Sequence, residues 1–262
     1  MTIEITREIA AKVVTYVNAG LVRGKGWQIP GQMCVEAVVC AAMGLPHSDE
    51  PPCVGPYLRS LKIRLNDSNW SSDAARAKGL LRLALAQLGS KDALDEKEFR
   101  RRINEMTIKT SVAEALRSAA SVCKNDAHKA AMLKVAARCE AQGTKEAALE
   151  GKAAANAAAT YAAANATANA TAATAAYAYA AATATAAVNA AYAAYAADAA
   201  ADAYAADAAA NATANAAANA TAATAAYARD ESLAAYCERV VQILINMNAP
   251  GCQWLDLAPV AA

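Results

Sequence analysis

Phe, Trp, glycine and an excess of charge of either sign are scarce in this sequence. Its 262 residues include one Phe, three Trp and 11 Gly, and 25 Lys+Arg stand against 24 Asp+Glu. A formal net charge of +1 excludes a strongly basic nucleic-acid binder and an acidic disordered tail. The seven Cys (Cys34, Cys40, Cys53, Cys123, Cys139, Cys237 and Cys252) are odd in number and form no CxxC pair. Free thiols in a reducing, cytoplasmic setting are therefore expected rather than a disulfide framework. Glu4, Arg7 and Glu8 interrupt the start of the chain where a signal peptide needs an apolar run, so no secretion signal is expected. No membrane span is expected either, because the long apolar tract is mostly Ala, which contributes little transfer free energy, and it carries Asn, Thr, Tyr or Asp every few residues.

What is present divides into three segments at sharp composition breaks near Gly151 and Arg229. Residues 1–152 carry 23 Lys+Arg against 17 Asp+Glu, and the remaining 110 residues carry 2 against 7. Such opposite signs favour docking between halves or between copies. The first segment reads as a run of helices, with apolar residues at three and four spacing and Gly, Pro, Ser and Asp as punctuation. Ile9, Val13, Val14 and Val22 line the first helix, and Gln32 to Met43 forms a second between Pro30-Gly31 and Gly44-Leu45-Pro46. Ser71-Ser72-Asp73 caps a helix bearing Leu80, Leu81, Leu83 and Leu85 that ends at Gly89. Further helices are predicted over Asp95 to Met106, Val112 to Val122 and Asp126 to Glu150. Leu61-Lys62-Ile63-Arg64-Leu65 alternates like a strand but has no pairing partner in view. In residues 229–262, Leu233, Val240, Val241, Ile243, Leu244 and Met247 make an amphipathic helix ended by Pro250-Gly251, predicted to pack back on the first segment. The expectation is an all-α protein: a multi-helix N-terminal domain, an Ala-rich helical segment and a C-terminal amphipathic helix.

Residues 153–228 contain 49 Ala, 9 Thr, 7 Asn, 7 Tyr, 3 Asp and 1 Val, with neither Gly nor Pro. Helix is the default for such a tract, Ala being the best helix former. One straight helix would run about 115 Å at about 1.5 Å per residue, too long for a compact chain, so a fold-back at Asn165 to Thr171 or Asn211 to Asn219 is expected. A solenoid of short extended rungs is the alternative. The text NATAATAAYA occurs at Asn169 to Ala178 and again at Asn219 to Ala228, an internal repeat of fifty residues.

Few residues suggest chemistry. In Gln28 to Cys34 a thiol opens a predicted helix, which lowers its pKa, and the Gln six residues upstream can donate to an oxyanion. That spacing resembles the papain-like cysteine peptidases, which implies a hydrolase centred on Cys34 with His128 or His47 as base. Packing of Cys34 as a small buried residue beside Val35 and Val38 is the competing reading. Cys34, Cys40, Cys53 and His47 with Asp49 and Glu50 match no zinc module, and no metal site is expected. Gly24-Lys25-Gly26 lacks the rest of a phosphate loop, so no cofactor is expected. Arg100-Arg101-Arg102 lies among Glu96, Glu98 and Glu105 and reads as a solvated face.

The Ala/Thr tract resembles the alanine-rich helical fish antifreeze proteins, whose Thr recur every eleven residues. Thr160/Thr171, Thr174/Thr185 and Thr213/Thr224 have that spacing, and the resemblance implies an ice-binding surface. The front half, with text such as GQMCVEAVVCAAMGLPHSDEPPCVGPYLRSLKIRLN, followed by the biased tract, resembles uncharacterised bacterial helical proteins with an Ala-rich low-complexity C-terminal half. The back half is reminiscent of toxin-immunity proteins. The leading expectation is a non-catalytic interaction or self-assembly protein, binding itself or another protein through Thr160, Thr171, Thr174, Tyr177, Thr185, Tyr192, Tyr195, Thr213, Thr224 and Tyr227. The physical reason is that Ala-rich helices bury little area alone and gain most against a closely fitting surface.

Overall fold

The computed structural model describes residues 4–166 and 222–260, and these are all-α. In chain order they form α1 (Arg7–Asn18), α2 (Val35–Ala42), α3 (Pro56–Asp67), α4 (Asp73–Ala86) and α5 (Glu96–Thr107). A π-helical turn (Ile108–Val112) leads into α6 (Ala113–Val122), α7 (Asp126–Gln142) and α8 (Lys145–Ala166). After residues 167–221 come α9 (Ala222–Asn246) and a 3-10 segment (Pro250–Leu257). Among the described residues no strand forms, and one isolated bridge joins Gly26 and Met33.

Helix starts follow side-chain capping. The Thr6, Ser72 and Asn125 oxygens accept the backbone N–H of Ile9, Ala75 and His128, satisfying donors that a first helical turn leaves open. Three details differ from the sequence reading. Leu61 to Leu65 lies within α3, where Leu58, Leu61, Lys62 and Leu65 are buried at helical spacing. Val22 lies beyond α1, its N–H donating to the Met33 carbonyl. The helix predicted from Asp126 to Glu150 breaks at Gly143, which adopts the left-handed conformation (φ 61°) as the C-cap of α7. In addition, the two helices predicted either side of residues 107–111 are joined by the π turn. There the Thr110 hydroxyl donates to the Met106 carbonyl, a back-bond that competes with the helix ladder.

The chain divides into two units, Met1–Arg102 with Leu233–Ala262, and Ile103–Ser232. The composition break near residue 152 lies inside α8. In the first unit α1 packs on α2 and α4, and the 3-10 segment packs on α4 and α1. Its core includes Val13, Val17, Val38, Leu58, Leu83 and Val240, all fully buried. Two ion pairs tie the C-terminal residues to this unit: Arg82 to Glu238 at 2.9 Å and Arg7 to Asp256 at 2.5 Å. In the second unit α6, α7 and α8 pack with the π turn around Ile108, Val112, Leu116 and Met132. The face that α8 turns inward is made of alanines and Gly151, with Ala147, Ala148, Ala155 and Ala158 fully buried.

Candidate functional site

The turn before α2 brings the most chemically distinctive residues of the first unit together. Trp27 N–H donates to the Gln32 carbonyl (2.7 Å) and Cys34 N–H to the Lys25 carbonyl (3.1 Å), closing a loop that delivers Cys34 to the N-cap of α2. There Sγ accepts the Ala37 N–H at 3.4 Å. The helix start does not activate this thiol. Burial dominates and pushes its pKa up to about 11. Gln28 is exposed, and His128 belongs to the other unit, on α7, where its ring lies 5.2 Å from that of Tyr161. His47 contacts the Gly26 carbonyl through Nε2 at 2.9 Å. The structure thus places Gln28 and Cys34 on one loop, with the His47 ring engaged at the Gly26 carbonyl and His128 in the other unit.

This arrangement makes a checkable statement. With its pKa near 11 against an ordinary value near 8.5, Cys34 in the folded chain is expected to alkylate with iodoacetamide at neutral pH at least about 100-fold more slowly than in urea. Peptide mass mapping reads the rate, and fast labelling with an apparent pKa below about 8 would restore the hydrolase reading.

Sequence reasoning missed what stands beside Cys34. Glu36 on α2 and Lys62 on α3 are both fully buried, with Nζ 3.4 Å from Oε1. Neither Glu36 oxygen nor the Lys62 amine has a hydrogen-bond partner. Desolvation outweighs mutual attraction: it raises the Glu36 carboxyl to about 7 and lowers the Lys62 amine. The available signal was a charged residue inside an apolar run, Glu36 in VEAVVCAA and Lys62, with Arg64, in LKIRL. A cavity of about 120 Å³ lies at the start of α2, its wall including Cys34, Glu36, Asp49, Asn66 and Asp67. Asn66 braces this wall, donating to the Val22 carbonyl (2.8 Å) and to Asp67 Oδ1 (2.9 Å) while accepting the Val35 N–H (3.2 Å).

The other candidates are distributed as follows. Among the described residues no group of three or more His, Cys, Asp or Glu side chains gathers closely enough to hold a metal ion. Arg101 and Arg102 both pair with Glu98 at 2.7 Å, and the Arg100 guanidinium lies 4.9 Å over the Tyr57 ring. Of the proposed contact surface, Thr160 and Tyr161 are exposed on α8 and Tyr227 on α9, the latter at 64%. Thr224 is on α9. Thr171, Thr174, Tyr177, Thr185, Tyr192, Tyr195 and Thr213 lie outside the described residues. A second apolar surface, unforeseen in the sequence, is the loop carrying Trp27 (73% exposed) and Ile29 (51%). Its shape is held by hydrogen bonds from Ile29 N–H to the Trp27 carbonyl and from Gln32 N–H to the Ile29 carbonyl.

Comparison with protein-family models, with curated proteins and with solved structures yields no match. Among the described residues no helix is long and apolar enough to cross a membrane.

Proposed function

We propose that the chain is a non-catalytic interaction protein whose Ala/Tyr-rich helical surface docks on a closely fitting protein surface, a second copy of itself in the first instance. One observation carries this reading: on α8 the alanine face is buried flush against its neighbours while Tyr161 on the same helix stays 41% exposed. Small side chains let a helix sit close to a facing surface, so every contact falls near the optimal separation. Exposed tyrosines add rigid area and a hydroxyl at low entropic cost, which is why they anchor interfaces. The same vocabulary continues through residues 167–221, with Tyr and Ala and no bulky aliphatic residue except Val188.

The test is multi-angle light scattering and sedimentation over a concentration series, on the wild type and on a Tyr161→Ser, Tyr227→Ser double variant. Expected is reversible self-association that the double variant weakens by about tenfold or more, with helicity unchanged by circular dichroism. A parallel Trp27→Ser, Ile29→Ser variant separates the two surfaces. A wild type that stays monomeric throughout, or an oligomer dissolved only by the Trp27 variant, overturns the proposal.

A further inference from the structure

The loop that leads into α2 carries an exposed apolar tip, with Trp27, Ile29 and Pro30 standing out to solvent within four residues. Its backbone is held from inside. The main-chain N–H of Trp27 donates to the Gln32 carbonyl, that of Ile29 to the Trp27 carbonyl and that of Gln32 to the Ile29 carbonyl, while Pro30 has no N–H to satisfy. At the base of the loop His47 Nε2 lies 2.9 Å from the Gly26 carbonyl, and Gly24 N–H donates to Asp67 Oδ1 at 2.8 Å. Apolar side chains outside and spent donors inside are what a poorly hydrated layer demands of a segment that enters it. Between Ala19 and Cys34 the chain carries two cations, Arg23 and Lys25, and no carboxylate. Both cations are exposed, and neither has an ion-pair partner among the described residues. Asp49 and Asp67, which share a cavity wall with Lys25, are half-buried, and Asp67 Oδ1 is taken up by Gly24 N–H and the Asn66 amide. Trp27 and Ile29 together expose on the order of 250 Å², against about 800 Å² that each partner gives to a stable protein–protein interface. The exposed Gln28 and Gln32 do not extend the apolar patch.

We propose that this loop is a reversible anchor to the surface of an anionic lipid bilayer. Trp27 and Ile29 enter the interfacial layer, and Arg23 and Lys25 meet lipid phosphates and carboxylates at headgroup level. The chain lies on the membrane and does not cross it. A small tip sinks into a soft layer without needing a matching pocket, whereas a rigid protein surface must supply one. The indole ring is apolar along its body and carries one N–H donor, which suits it to the boundary between acyl chains and water. Because hydrogen bonds fix the loop before it binds, little conformational entropy is lost on insertion. Two apolar side chains or two cations alone hold a protein weakly, and the pairing of an inserted group with a basic one is what makes surface binding measurable.

The experiment is flotation of the full chain with unilamellar vesicles of phosphatidylcholine alone, and of phosphatidylcholine with about 30 mol% phosphatidylserine, at about 0.1 M salt. Expected is saturable flotation with the anionic vesicles, weakened by about tenfold or more in a Trp27→Ser, Ile29→Ser double variant. Arg23→Gln and Lys25→Gln should each weaken it by about fivefold, and about 0.5 M salt should act in the same direction. All four positions are exposed, so circular dichroism is expected to be unchanged. Lipids brominated just below the headgroup should quench part of the Trp fluorescence in the wild type and none in Trp27→Phe, since Trp70 is buried and Trp254 half-buried. No flotation at about 1 mM anionic lipid overturns the proposal. So does equal flotation on phosphatidylcholine alone, or flotation unchanged in the double variant. Self-association that depends on Trp27, without flotation, assigns the tip to a second copy of the chain and likewise overturns it.

Discussion

Lys62→Met is expected to destabilise the first unit by about 3–5 kcal/mol, because it leaves the Glu36 carboxylate buried with no opposing charge against it. The methionine keeps most of the packing, so the loss reports the charge rather than a cavity. Adding Glu36→Leu should recover most of the lost stability, since replacing both members of a buried pair by apolar groups is close to neutral. Urea unfolding of the two single variants and the double variant closes the cycle, and simple additivity of the singles would refute the pairing. The pH dependence has a definite sign. The Glu36 carboxyl is raised from 4.5 to about 7 in the folded chain, so between those values the folded state binds more protons than the unfolded one. Its contribution to stability is fully present below pH 4.5 and is lost as pH rises through about 7. Lys62 works the other way: its lowered value makes the folded state bind fewer protons, so its contribution recovers as pH rises towards 10.5. In Lys62→Met the acid-side term remains alone, and the destabilisation should shrink at acid pH, where Glu36 is protonated.

Gly251→Ala is expected to cost at least about 3 kcal/mol. A Cβ at this position would lie 2.3 Å from the Leu85 carbonyl oxygen, 2.7 Å from Leu88 N and 2.8 Å from the Ala86 carbonyl oxygen. All three are backbone atoms at the end of α4, so no side chain can swing away, and the 3-10 segment must lift off the helix. Gly24→Ala is the control. Its φ of +68° strains any L residue, but nothing lies within 4 Å of the added methyl, so about 1–2 kcal/mol is expected. Thermal and urea unfolding followed at 222 nm measure both. Equal losses at the two positions would mean that a small shift of the 3-10 segment relieves the clash and that Gly251 is not required for space.

Both effects bear on residues whose importance is invisible in one dimension. Gly251 follows Pro250 and reads as a helix stop, but α9 ends earlier, at Asn246, and Gly251 lies inside the 3-10 segment, where its contact with α4 joins positions more than 160 residues apart. Lys62 reads as one side of a strand-like alternation, and the burial of Leu58, Leu61 and Leu65 on a helical face places it inside. Cys34 was legible as a helix opener, and its N-cap geometry agrees. Its reactivity was not legible, because the thiol's pKa is set by the dielectric around it, and the fold surrounds it with buried residues.

Local chemistry determined the all-α character of this chain. Three- and four-spaced apolar residues, capping Ser, Thr and Asn, and glycine and proline stops act within a few residues of one another, and their free energies do not wait for the rest of the molecule. Only the tertiary structure decided that Glu36 and Lys62 meet in the interior. It alone decided that a cavity opens at the start of α2 and that Trp27 and Ile29 stand out from the surface. Burial and charge proximity depend on contacts between distant positions, and no local pattern encodes which distant residue will be the neighbour.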